Sequence, residues 1–260
     1  MNRRKLRFYK GYEYFYKKIE KDKFFSTYCE RVFGIDFSQD GFSDIGQITE
    51  LLNAADIRPG HKVLDIGCGN GKLAEYISDR TGAVAYGFDY SKHAIKNARK
   101  RVRGKERLIF EHGFIGEKEY PTAFFDVVLS VDTMYFATDL KEFVRQLYGW
   151  LKPGGVFLAF YGEGPFDEKS SNGDATKLAS AFRSIHIAYE VMDFTEQHFA
   201  LMKRKREVIS GMREEFVNSN ISFYYEASIA QSVDPNMPYE EFIKNHDRFL
   251  YVVRKTQSQT

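Results

Sequence analysis

No stretch of this chain approaches the roughly 18 consecutive apolar residues that a membrane-spanning helix needs, which excludes a helical membrane protein. The opening run Met1-Asn2-Arg3-Arg4-Lys5-Leu6-Arg7 is basic, without an apolar core or a small-residue cleavage site, so the expected location is the cytoplasm. Cysteine is scarce. Cys29 and Cys68 are the only two, too few for a disulfide framework and without any zinc-type spacing. Neither sign of charge dominates: a net charge of +2 does not announce a nucleic-acid partner. The local run Lys203-Arg204-Lys205-Arg206 reads as a solvated helical face, with a phosphate or nucleic-acid site as its alternative. What remains is a chain of 260 residues, 43% hydrophobic and 16% aromatic, long enough to bury a full core as one domain or as one domain with a cap.

The densest signal is Val63-Leu64-Asp65-Ile66-Gly67-Cys68-Gly69-Asn70-Gly71, an apolar strand that ends in an acid and opens into three alternate glycines. Glycines so spaced strip every Cβ from one side of a turn, letting a ligand lie against bare backbone. A dinucleotide fingerprint requires G-x-G-x-x-G, yet Lys72 stands where its third glycine belongs. The pattern present is D-x-G-x-G-x-G. About 20 positions on, a second strand, Ala83-Val84-Ala85-Tyr86-Gly87-Phe88, ends in Asp89, where a carboxylate accepts hydrogen bonds from ribose hydroxyls. The bland alternative for Asp89 is the N-cap of the helix that follows.

Asp65, Gly67, Gly69 and Gly71 together resemble the first signature of class I S-adenosylmethionine-dependent methyltransferases. The resemblance covers roughly residues 45–160 and is strengthened by Leu151-Lys152-Pro153-Gly154-Gly155, read as a helix-to-strand turn. It implies S-adenosylmethionine as cofactor and an α/β fold: a Rossmann-like, doubly wound, mostly parallel seven-stranded sheet. Further strands are expected at 108–114, 124–131, 151–160, 187–194 and 248–254, with helices at 45–52, 94–102 and 175–184. Four segments follow: an aromatic-rich helical lid (1–43), the cofactor-binding core (44–194), a helical cap of two or three helices (195–247), and a last strand and tail (248–260). The aromatic residues of the first segment either cover the sheet as scaffold or roof the pocket.

In open α/β sheets the ligand lies outside the carboxyl ends of the strands. On the resemblance, the cofactor residues are Asp65, Gly67, Cys68, Gly69, Gly71, Asp89, Tyr90, Gly113, Phe114, Val131 and Gln47, with Cys68 a small filler. Family members commonly carry an acid where His112 or Gly113 stands here, so the adenine would rest on backbone and the Phe114 ring, unless that ring serves only the core. Catalytic candidates are Asp132, Tyr135 and His112. Asp132 alternatively caps a helix, and His112 alternatively bonds backbone at a strand end. Substrate candidates are Gln39, Phe42, Tyr28 and Tyr135. An Asn/Asp-Pro-Pro-Tyr motif is missing where Val131-Asp132-Thr133-Met134-Tyr135 stands, which disfavours methylation of DNA amino groups or glutamine amides. No thiolate is placed for cytosine carbon-5 chemistry, and no metal is expected. The expected partner is a small-molecule methyl acceptor; alternatives are an RNA or protein substrate, and a protein that binds the cofactor without turnover.

Overall fold

Short apolar runs alternate with amphipathic segments, and in the computed structural model, which describes residues 3–19, 23–38, 41–163 and 168–257, those runs become strands of one sheet. The chain begins with helices α1 (Arg3–Ile19), α2 (Phe24–Phe33) and α3 (Ile45–Ala55). The core follows as β1 (Lys62–Ile66), α4 (Lys72–Thr81), β2 (Val84–Asp89), α5 (Lys92–Arg101), β3 (Leu108–His112), β4 (Phe125–Val131), α6 (Leu140–Trp150) and β5 (Leu151–Tyr161). After α7 (Lys177–Ser184) and β6 (Glu190–Asp193) come α8 (Thr195–Gly211), α9 (Arg213–Val217), α10 (Phe223–Ala230), α11 (Tyr239–Phe242) and β7 (Phe249–Arg254).

The strand order is β3-β2-β1-β4-β5-β7-β6, parallel except for β7, which runs against both neighbours. Order reverses between β1 and β4, the place where such sheets open a crevice. Register fixes what meets there: Ile66 pairs with Phe88 on one side and Ser130 on the other, while Asp89 pairs with His112. Successive residues of the central strands point to opposite faces. Leu64, Val128 and Phe157 pack under α6 and α7, and Val63, Val127 and Leu158 pack under α3 and α4. The seven-stranded Rossmann-like sheet is as expected.

The aromatic amino-terminal segment forms helices, as its spacing predicts, but α2 packs away from the sheet. Phe15, Phe25 and Tyr28 share a core with Met202, Phe216 and Tyr224 of the cap. Phe15 stacks on Tyr224 at 5.2 Å and Tyr28 meets Phe216 edge-on at 5.1 Å. Each such pair contributes about 0.5–1.5 kcal/mol beyond its buried area.

Four details differ from the sequence reading. The cap holds four helices, α8 to α11, because α9 and α11 are single turns too short to show a period. The sixth strand is confined to Glu190–Asp193. Pro153, Gly154 and Gly155 lie inside β5, which starts directly after α6 and whose register with β4 shifts between Phe125 and Val127. Finally, the basic run is not a solvated face, since α8 is flanked by α2 and α10. Lys205 is fully buried and donates to Gln231, Arg206 donates to Ser232 and to the Ile229 carbonyl, and Arg204 reaches the Val32 carbonyl and Asp44. Among the described residues no helix is long and apolar enough to cross a membrane, and no group of three metal-ligating side chains occurs.

Candidate active site

After β1 the chain passes through Gly67, Gly69 and Gly71 with φ of 70°, 55° and 77°. Those left-handed values favour glycine, and space demands it as well. A Cβ on Gly67 would lie 2.5 Å from the Thr133 methyl group, and one on Gly69 2.2 Å from the Tyr16 hydroxyl. The Asp89 carboxylate braces this loop. Its Oδ2 accepts the Gly69 N–H at 3.0 Å and its Oδ1 accepts the Ser91 N–H at 2.8 Å. Ser91 caps α5 by accepting the Ala94 N–H, so Asp89 is not the cap. Burial pushes the Asp89 carboxyl up to about 6, against the pull of those two N–H donors. Burial, reinforced by the charge on Asp89, pushes Asp65 up to about 8. Two buried acids held this high favour any ligand that brings donors or a positive charge.

Helix α1 forms the roof. Tyr9, Tyr12 and Tyr16 recur at helical spacing on one face and line a cavity of about 140 Å³. The Tyr90 hydroxyl donates to the Tyr9 carbonyl at 3.0 Å, and their rings meet edge-on at 4.2 Å. The Glu13 carboxylate accepts from the Ser91 hydroxyl and from His93, and Asn97 donates to the Tyr16 carbonyl. Across the crevice, the Tyr9 and Tyr12 rings come within 5.5 and 6.4 Å of Phe136.

The far wall rests on one ion pair. Asp132, just past β4, has φ of 59° and is 8% exposed. Its carboxylate takes a bidentate grip from Arg248 at 2.6 and 3.0 Å, and Arg248 is 3% exposed. The same guanidinium donates to the Ser43 hydroxyl at 2.5 Å and to Gln47 Oε1 at 2.8 Å. Asp132 Oδ2 also receives the Phe42 N–H and the Ser43 hydroxyl, each at 3.4 Å. Thr133 donates to the Ile66 carbonyl at 2.8 Å and ties the turn after β4 to the end of β1.

Of the sequence-predicted residues, Asp65, Gly67, Cys68, Gly69, Asp89 and Tyr90 line the cavity, joined by Val131, Asp132 and Tyr135. Others lie outside it. Gly71 precedes α4 and abuts the Phe110 ring, and the Gly113 N–H donates to the Asp89 carbonyl. Phe114 packs 6.1 Å from Tyr9, while the next residue, Ile115, faces the cavity. His112 is exposed and bonds the Tyr90 carbonyl at 2.9 Å, which is its bland reading and not a catalytic one. Gln47 sits behind the wall, its Nε2 buried with no hydrogen-bond partner among the described residues. The Phe42 ring turns toward His198, and Tyr28 is enclosed in the aromatic core shared with the cap, so neither lines the cavity. Gln39 lies outside the described residues. Asp132 caps no helix, since Asp139 caps α6.

Sequence reasoning missed Arg248, Ser43, Phe37 and Ile115. Arg248 left one trace, a charged residue at the mouth of an otherwise apolar strand.

Residues 64–159 match the model of the methyltransferase domain family. The chain is 30% identical over 226 residues to phosphoethanolamine N-methyltransferase 3 of Arabidopsis thaliana, covering 80% of this chain and 45% of that protein. It is 31% identical over 131 residues to the phosphoethanolamine N-methyltransferase of Plasmodium falciparum, covering 50% of this chain and 48% of the other. The chain thus spans about half the length of these curated relatives. Its fold matches phosphoethanolamine N-methyltransferase 2 of Haemonchus contortus, solved with phosphomonomethylethanolamine and S-adenosylhomocysteine, at a TM-score of 0.71 and 20% identity over 94% of this chain and 60% of that one. Residues 64–159 therefore carry a methyltransferase domain, set in a chain whose fold is that of these methyltransferases. The crevice fits S-adenosylmethionine: a glycine cradle that admits no Cβ lies beside a buried carboxylate with accepting capacity to spare.

Proposed function

We propose that this protein transfers a methyl group from S-adenosylmethionine to a small molecule enclosed beneath α1. The observation that carries this reading is the convergence of the glycine loop, Asp89 and the tyrosine face of α1 on one crevice. The bound cofactor supplies a methyl group already activated by its sulfonium, so the protein's contribution is chiefly position and the exclusion of water.

In this reading Asp89 accepts the ribose hydroxyls while its grip on the Gly69 N–H keeps the loop open. Asp65, Gly67, Cys68, Gly69, Tyr90 and Val131 complete the cofactor side. Tyr135, Phe136 and Asp132 border the acceptor. With both carboxylate oxygens held by Arg248, Asp132 serves as a wall and not as the base that takes a proton. Residues 1–43 and 195–247 act together as the lid, supported by their common aromatic core. The names of the relatives favour a nitrogen acceptor. A reducing compartment suits Cys29 and Cys68, which form no disulfide among the described residues, and the reading puts the enzyme in the cytoplasm. An RNA or protein substrate is less favoured, because the basic run on α8 is engaged in internal hydrogen bonds.

Titration calorimetry with S-adenosylmethionine, its demethylated product and NAD tests the cofactor half. A panel of amines, alcohols and structured RNA, scored by release of demethylated cofactor, tests the rest. NAD binding without a response to S-adenosylmethionine overturns the first, and turnover confined to RNA overturns the second.

A further inference from the structure

The ionisable carboxylic acids that line the crevice, among the described residues, are Asp65, Asp89 and Asp132, and no lysine, arginine or histidine is among the lining side chains. Arg248 is the guanidinium nearest to hand, and its planar fork is the geometry that recognises phosphate. That fork is already filled. Asp132 occupies it bidentately, Ser43 and Gln47 take further donors, and the guanidinium carbon lies over the Phe160 ring, 4.7 Å from its centroid. An anionic group moved in beside Asp132 would shed its hydration, face that carboxylate and find the guanidinium behind it already occupied. Neutral and cationic groups meet the opposite conditions, since the rings of Tyr9, Tyr12, Tyr16, Tyr135 and Phe136 offer apolar edges and cation-attracting faces.

Resting on the methyltransferase reading above, the geometry points to a specificity-determining role for Asp132: by occupying Arg248 it sets the crevice for phosphate-free acceptors, neutral molecules or organic amines, and turns away phosphorylated ones. The φ of 59° at Asp132 fits such a role, because the turn after β4 adopts a conformation unusual for a side-chain-bearing residue and delivers the carboxylate to the arginine.

The test uses the full chain saturated with S-adenosylhomocysteine, whose own binding by calorimetry checks the methyltransferase reading separately. Inorganic phosphate, phosphoethanolamine and ethanolamine are then titrated. The wild-type protein is expected to bind neither phosphate nor phosphoethanolamine at millimolar concentration. Asp132→Asn, which keeps the shape and removes the charge, is expected to bind phosphoethanolamine at least tenfold more tightly than the wild type. Adding Arg248→Met to that variant is expected to abolish the gain. Tight phosphoethanolamine binding by the wild type overturns the inference with no variant needed, while cofactor binding leaves the methyltransferase reading standing. An Asp132→Asn protein that binds S-adenosylhomocysteine normally and gains nothing for phosphate overturns it too.

Discussion

The two sides of the crevice are built on different scales. On the cofactor side, Asp89 holds Gly69 across 20 residues of chain, and the contact follows from two adjacent parallel strands in register. On the acceptor side, Arg248 joins Asp132 across 116 residues and Ser43 across 205. The first side is a backbone construction in which glycine dihedrals and strand ends do the shaping. The second is a side-chain construction that exists only once the whole chain has folded, so a single substitution can reshape it while leaving the sheet in place.

That contrast is sharpest in Arg248→Met, expected to have the largest effect. It leaves a buried carboxylate without its partner, a loss of about 3–5 kcal/mol, read by calorimetric unfolding as a midpoint lower by roughly 10 °C. A midpoint within a degree of the wild type would show that the acceptor wall does not depend on the pair. On the other side, Asp89→Ala should leave the fold nearly intact and weaken S-adenosylmethionine by roughly 1.5–3 kcal/mol through two lost charge-assisted hydrogen bonds. Unchanged affinity in the same calorimetric assay would reduce Asp89 to a loop brace.

Protons separate the two sides further. Asp65 is raised in the folded protein to about 8, so the fold holds a proton that the unfolded chain has already released, and stability falls as pH rises toward that value. Below about pH 6.5 the buried His198, pushed down by desolvation, works in the opposite sense and costs stability as pH falls. The clean window is pH 6.5 to 8. There the free protein should lose about 2 kcal/mol, at roughly 1.4 kcal/mol per pH unit, and Asp65→Asn should flatten the profile. A flat wild-type profile would remove Asp65 as the titrating group. The smallest effect belongs to the roof. Glu13→Gln weakens a half-exposed latch worth about 0.5–1 kcal/mol, so amide exchange along α1 should quicken a few-fold while cofactor affinity barely moves. Equal exchange in both proteins would make α1 fixed scaffold.

The same difference in scale decides what could be read from the sequence. Gly67, Gly69 and Asp89 announced themselves because their chemistry is local: a turn that forbids side chains and an acid at the next strand end. The parallel order of the sheet was legible for the same reason, as alternating apolar runs and amphipathic helices. Tyr28 was misplaced because aromatic spacing reveals that a helix has a buried face without revealing what covers it, and here the cover is Phe216 and Tyr224, nearly two hundred residues away. Lys205 was misplaced on the same ground, since α2 and α10 enclose a helix face that looks solvated in isolation. Asp132 lines the crevice just past β4, yet its partner before β7 has no local signature.

One helix roofs both sides. The Tyr16 hydroxyl fills the space over Gly69, Tyr9 rests on Tyr90, and Tyr9 and Tyr12 reach Phe136 beyond β4. On the proposed function, spent cofactor and methylated product are therefore expected to leave through the same opening. A single rate constant, that of α1 swinging clear, is expected to govern both departures. In rapid-quench kinetics this takes the form of a burst: one fast turnover per enzyme molecule, followed by a slower steady state whose pace is indifferent to how reactive the acceptor is.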